Sequence, residues 1–433
     1  MDEPRATFGT ISGFFNLQNS TNRVIWPPNL QRGGESVISG IPDWTGLVIT
    51  TQMGESYLPG VDVSTIRGYH QSMSLRNGIV QTNITWKPHM SGAIFQVNFT
   101  VIAHQKDINL GLVRLDLTAN TDVNVTITDV LDGAGATRST FREKSSDPEQ
   151  DLIWTSVSPN GQDNVVAFEY STVQLQMANK ERKGGCEQVP GAKSAGSWIS
   201  QNSSTVAQSW CVQLKSGVPT TLYKHVGIAS TDAFGEASQS TARKTALAAK
   251  ESTWEDLILT HNKAWNNLWE SADITIPGNQ EIQKVTRASL FHLLANLRPG
   301  EEGPGLGDNS ISPSGLTSDS YAGYVFWDAD SWVAPSLFAL HPDRAASINH
   351  YRSKLHKQAK ENAKINEFRE FSGALYPWTS GRFGNCTGNG EAEQTPDDNR
   401  THLIDLSRNL CRVSVSHQCR YRHGTLAIFP LYE

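Results

Sequence analysis

The 433 residues exceed one ordinary domain and leave room for two or three, each with its own core. Acidic residues number 43 against 37 basic ones, a formal net charge of −6 with no long run of either sign, which argues against nucleic acid as a partner. No apolar run reaches the roughly eighteen residues of a spanning helix, so no membrane span is expected.

The opening MDEPRATFGT has neither the basic n-region nor the apolar h-region of a signal peptide, so a signal peptide is absent from this chain, which alone reads as cytosolic. Asn-x-Ser/Thr sequons at Asn19, Asn83, Asn98, Asn124, Asn202, Asn385 and Asn399 point the other way, toward a secreted glycoprotein that has lost its own N-terminus. Five cysteines, at 186, 211, 386, 411 and 419, form no C-x-x-C pair and no cluster with metal spacing, so no metal site is expected. Cys186 and Cys211 lie in one polar region, and a disulfide between them or two buried thiols are both compatible with that placement.

From residue 8 to about 245 the chain reads as β-structure. In TNITW, Thr82, Ile84 and Trp86 share one face, and in IFQVNFTV, Phe95, Val97, Phe99 and Val101 alternate with polar residues that include Asn98. LVRLDL places Val113, Leu115 and Leu117 together, and Asn124 lies on the polar face of the next alternating run. Such strands predict a large antiparallel β-sandwich over 8–248, with a Gly-, Lys- and Ser-rich surface loop at 180–204. The period then changes. In ESTWEDLILTHNKAWNNLWES, Trp254, Leu257, Ile258, His261, Trp265 and Leu268 keep helical spacing, which predicts a linker helix within 249–277 and makes His261 a packed core residue. A further helix carries Leu290, Leu293, Leu294 and Leu297 and stops at Pro299-Gly300. Others carry Val333, Leu337 and Leu340, then Ile348, Tyr351 and Leu355, which together suggest an α/α architecture over 278–388.

Within that region, YAGYVFWDADSWVAPS sets Tyr324, Phe326, Trp327 and Trp332 around Asp328 and Asp330 where a helix begins. Aromatic planes beside short carboxylates suit a sugar, whose C–H faces stack on indole while its hydroxyls donate to carboxylate oxygens. Asp328 is also placed to cap the helix that follows.

This stretch, with SPSGLTSDSYAG before it and GALYPWTSGRFGNCTG after it, resembles glycoside hydrolase family 65, and within it the fungal acid trehalases. GTISGFFN, ESVISGIPDW and LGLVRLDLTANTDVNVTITDVLDGAGA carry the likeness upstream, so that it covers residues 8 to about 388. The resemblance implies a β-sandwich, a helical linker and the first part of an (α/α)6 barrel with the active site in its loops. It implies inverting hydrolysis of α,α-trehalose to two glucoses, a small α-glucoside as the substrate, no cofactor, and a place outside the cell, in the cell wall or in the vacuole. Carried over residue by residue, Phe326, Trp327 and Asp328 would hold the glucosyl unit. Asp330 stands where most members have Glu, and Trp378 and Arg382 are further candidates for contact with the sugar.

The family's general acid is a Glu in a later Pro-Asp-Glu-aromatic-His motif. Pro396-Asp397-Asp398 has Asp for that Glu and no aromatic after it, so the catalytic residues are unassigned. The tail 389–433 does not follow the family pattern. The expectation is therefore a C-terminally truncated or mis-spliced family member, inactive as it stands. The alternatives are a non-catalytic carbohydrate-binding protein and a disaccharide phosphorylase of the same family.

Overall fold

A computed structural model describes residues 9–17, 37–176, 203–299, 305–313, 315–316, 320–365, 373–377 and 379–384. Two compact units are present. The first comprises Met1–Gly9, Gly40–Ser158 and Asp163–Phe291, and the second Thr10–Ser39, Pro159–Gln162 and His292–Glu433.

A short pair, β1 (Gly9–Phe15) with β2 (Ile38–Ile41), precedes the main strands. These are β3 (Leu47–Thr51), β4 (Ser56–Tyr57), β5 (Ile66–Ser74), β6 (Ile79–Trp86), β7 (Phe95–Ala103), β8 (Leu110–Ala119), β9 (Val123–Asp132), β10 (Ser139–Asp147), β11 (Leu152–Pro159), β12 (Ala167–Gln176), β13 (Thr205–Leu214) and β14 (Thr220–Ser230). They form an eight-stranded sheet in the order β10-β11-β12-β14-β8-β7-β6-β5 and a four-stranded sheet in the order β13-β9-β3-β4. The register of β7 on β8 sets Val97 opposite Leu117 and Phe99 opposite Leu115, so the alternating apolar residues of both strands share one face. Those residues meet Ile49, Val125, Ile127, Val212 and Leu214 from the smaller sheet in one common core. Arg114 and Asp116 alternate with the buried leucines of β8 and pair on its other face, Nε to Oδ2 at 2.8 Å, where Thr221 also donates to Asp116.

The first long helix, α1 (Ser238–Glu251), begins inside the stretch whose composition reads as β-structure. Ala242, Ala246 and Ala249 are its buried face. The helix lies so close to β14 that a Cβ on Gly227 would stand 1.9 Å from the Ala242 carbonyl oxygen, so only glycine fits there. Helix α2 (Trp254–Ser271) is capped by Thr253, whose hydroxyl accepts from the Asp256 N–H at 3.1 Å, and it buries Leu257, His261 and Trp265 as its spacing predicts. His261 is fully buried. Its Nδ1 accepts from the Gln105 N–H at 3.1 Å, so its Nε2 carries the proton that is donated to the Asn77 carbonyl at 2.6 Å. It is a structural clip between α2 and the strand ends, as its place on the apolar face predicts.

Of the sequon residues, Asn83 is exposed and Asn98 and Asn124 are half-buried, with Asn83 directly opposite Asn98 across β6 and β7. Asn19, Asn202, Asn385 and Cys186 lie outside the described residues. Cys211 on β13 is disulfide-bonded. Among the described residues no helix is long and apolar enough to cross a membrane.

After α3 (Gln280–Asn296), the second unit adds α4 (Ala334–Leu340), α5 (Pro342–Lys354) and α6 (His356–Ile365), with a small pair of strands, β15 (Val325–Phe326) and β16 (Thr379–Ser380).

Candidate functional site

The Phe-Trp-Asp motif lies at a change of backbone geometry. Val325 and Phe326 extend as β15, opposite Ser380 and Thr379, and the chain then turns helical at Trp327 and Asp328. Ala329–Val333 form a widened π turn that leads directly into α4, and such turns recur at functional sites. Trp327 and Trp332 stand 6.1 Å apart between ring centroids at 59°, and Phe326 meets Tyr321 edge-on at 5.3 Å. Trp332 is 65% exposed.

The two acids are used differently. Asp330 is gripped by Arg352 from α5, with Nε at 3.1 Å from both carboxylate oxygens and Nη2 at 2.5 Å from Oδ2. The same guanidinium reaches the Phe326 carbonyl and the Ser380 hydroxyl, each at 3.4 Å. Arg352 therefore ties the π turn, β15 and β16 to one helix. Burial pulls the guanidinium toward losing its proton, but the Asp330 carboxylate outweighs this and leaves its pKa raised. Beside it Tyr351 is buried, donates to the Gly381 carbonyl at 2.6 Å and has its hydroxyl pKa pushed up to about 12 by burial. Such a phenol stays neutral and acts as a strut.

Asp328 is half-buried and in helical conformation, and its side chain makes no capping hydrogen bond. The arrangement thus separates an anchored acid, Asp330, from one whose carboxylate is not spent on the helix end. A half-buried carboxylate that is not spent on the helix end can accept from a sugar hydroxyl. Arg382 donates from Nη1 to the Gly13 carbonyl at 3.3 Å, and Trp378 lies outside the described residues. Sequence reasoning missed Arg352. A signal existed, because an arginine on the same helical face as Ile348 and Tyr351 needs an acid partner when buried.

Residues 2–268 match the model of the glycosyl hydrolase family 65 N-terminal domain, and residues 287–406 match that of the glycosyl hydrolase family 65 central catalytic domain. An acid trehalase of Emericella nidulans is 33% identical over 411 residues, covering 89% of this chain and 38% of that protein. A cell wall acid trehalase of Candida albicans is 34% identical over 395 residues, covering 88% of this chain and 34% of its own length. This chain therefore spans less than two fifths of these curated relatives. A solved protein from the human microbiome, assigned as a kojibiose phosphorylase, superposes with a TM-score of 0.66 at 17% identity, over 87% of this chain and 46% of that one. The two domain matches, in order and over most of the sequence, place the chain in glycosyl hydrolase family 65.

Proposed function

We propose that the protein is a glycosidase of the acid trehalase type, acting outside the cell on α,α-trehalose, and that Trp327 and Asp328 hold the glucosyl unit whose bond is cut. In this reading the two sheets of the first unit form a β-sandwich and the helices of the second begin an (α/α)6 barrel. The observation that carries the proposal is the division of labour at the motif. Arg352 fixes Asp330 and with it the π turn, while the Asp328 carboxylate, next to Trp327 in the chain, has no cap to serve. The names of the acid trehalases that this chain matches supply the substrate and the setting.

The chemistry would be inversion, in which one carboxylic acid protonates the departing oxygen while a carboxylate activates water on the opposite face. Asp328 binds in this scheme and transfers no proton. Losing its acceptor would leave a sugar hydroxyl unpaired and cost about 2–3 kcal/mol of binding.

Product analysis tests the proposal. The native protein is incubated with α,α-trehalose near pH 5, with and without inorganic phosphate, beside an Asp328→Ala variant. Two glucoses per disaccharide, independent of phosphate and strongly reduced in the variant, are the result that this proposal predicts, against the sequence's expectation of a chain inactive as it stands. A phosphate-dependent sugar phosphate would move the assignment to a phosphorylase, and binding without turnover would move it to a non-catalytic sugar-binding protein.

A further inference from the structure

A second place in the molecule has the composition of a sugar site, and it lies wholly within the first unit. Trp154 of β11 stands opposite Tyr170 of β12 in register, and their rings stack at 5.4 Å with only 15° between planes. Tyr170 is buried and Trp154 half-buried, so the pair forms a shelf whose indole is the outer layer. Helix α1 packs along β14 and β12 through Ala242 and Ala246. Beside it a cleft of about 450 Å3 opens over this shelf, rimmed by Ser146, Asp147 and Glu149 on one side and by Arg243 of α1 on the other. That volume is within the range of small-ligand sites.

The rim is held in place by the fold. Arg243 Nη2 donates to the Gln150 side-chain carbonyl at 2.9 Å, which aims the guanidinium along the cleft. Its distance to Asp147 Oδ2 is 3.6 Å, too long for a direct hydrogen bond, and both side chains are about two fifths exposed. A hydroxyl pair can accept from the guanidinium and donate to the carboxylate across that gap. The Tyr170 hydroxyl accepts from Gln239 Nε2 at 2.9 Å, which fixes the lower ring of the shelf.

The charges select the ligand class. Two carboxylates against one guanidinium disfavour an anion such as a phosphate ester, and a purely apolar ligand would strand all three groups without water. A neutral ring with one apolar face and several hydroxyls satisfies shelf and rim together. We propose that the Trp154–Arg243 cleft is an accessory binding site for a neutral hexopyranose unit, separate from Trp327 and Asp328. The unit could belong to the disaccharide substrate or to a glucan chain, and the probe sugars distinguish these sources.

The test is ligand-observed NMR and isothermal titration of the full chain with α,α-trehalose, maltohexaose and laminarihexaose. Four proteins are compared: wild type, Asp328→Ala, Trp154→Ala and Arg243→Ala, the last at a partly exposed position whose fold is checked by circular dichroism. Saturable binding of about millimolar affinity that persists in Asp328→Ala and weakens about tenfold in Trp154→Ala and Arg243→Ala is expected. The proposal is overturned if no probe binds saturably, or if all binding disappears in Asp328→Ala while Arg243→Ala binds like wild type. The first outcome would leave Trp154 as a packing residue, and the second would place all sugar recognition at the Trp327 motif.

Discussion

Replacing Glu169 with Gln should change how stability depends on pH, and the structure gives the sign. Glu169 lies on β12, 1% exposed, and among the described residues neither carboxyl oxygen has a hydrogen-bond partner. Desolvation raises its pKa well above the usual carboxylate value. Lys224 of β14 opposes that rise, and Asp43 adds to it. Lys224 is itself committed, with Nζ 2.8 Å from Asp129 Oδ1 and donating to the Gly46 carbonyl at 2.9 Å. Asp129 in turn accepts from Ser171 and Gln208. The cation is thus shared out before it reaches Glu169.

A carboxyl whose folded pKa is raised keeps its proton in the fold at a pH where the unfolded chain has released it. The stability it contributes is complete below the unfolded value of about 4.3 and is lost as pH rises toward the folded value, at about 1.4 kcal/mol per pH unit. Glutamine has nearly the same shape and no proton to lose. Urea unfolding at intervals from pH 4 to 7 measures the effect as a shift in midpoint at constant slope. Wild type and Glu169→Gln should agree within about 1 kcal/mol at pH 4 and diverge upward from there, with the variant the more stable. Parallel curves across the whole range would refute the reasoning and mean that Glu169 is ionised and solvated.

His225, buried on β14, has its pKa lowered to about 4 by burial and by Lys250, so its contribution runs the opposite way. It is present above pH 6.5 and lost as pH falls toward 4, by roughly 3 kcal/mol in all, and His225→Gln should flatten acid unfolding followed by circular dichroism. Arg352→Met should cost about 3 kcal/mol in the second unit by leaving Asp330 unpaired, and adding Asp330→Asn should recover part of the loss in a double-mutant cycle of thermal midpoints. Gly227→Ala should cost about 2 kcal/mol or more of stability, read as a lowered unfolding midpoint, because the methyl group cannot share space with the Ala242 carbonyl.

The strands that alternate cleanly were legible in the sequence. Val97, Val113, Leu115 and Leu117 are all fully buried, on the faces that period 2 assigned to them. Helix α2 was legible because large apolar residues mark its stripe. Helix α1 was not, since its buried face is made of alanines, whose small side chains give little periodic contrast although their helix propensity is high. Gly227 completes that packing from a strand far away in sequence, and no local pattern reports it. At the candidate site, the cluster of aromatic residues and acids was visible and already suited a sugar, and the resemblance to family 65 narrowed this to a glucosyl unit. The different fates of Asp328 and Asp330 were not visible, because they depend on Arg352, 22 residues further on, folding back against the π turn. The Trp154–Tyr170 shelf was hidden for the same reason, as it exists only once β11 and β12 pair.

The central claim, that Trp327 and Asp328 receive a glucosyl unit, is tested most directly by hydrogen exchange on peptides covering residues 324–334. Saturating α,α-trehalose should slow exchange at the head of α4 in the wild-type chain and leave it unchanged in Asp328→Ala, with the rest of both maps alike. Exchange in that segment that ignores the sugar, or that slows equally in the variant, would contradict the assignment.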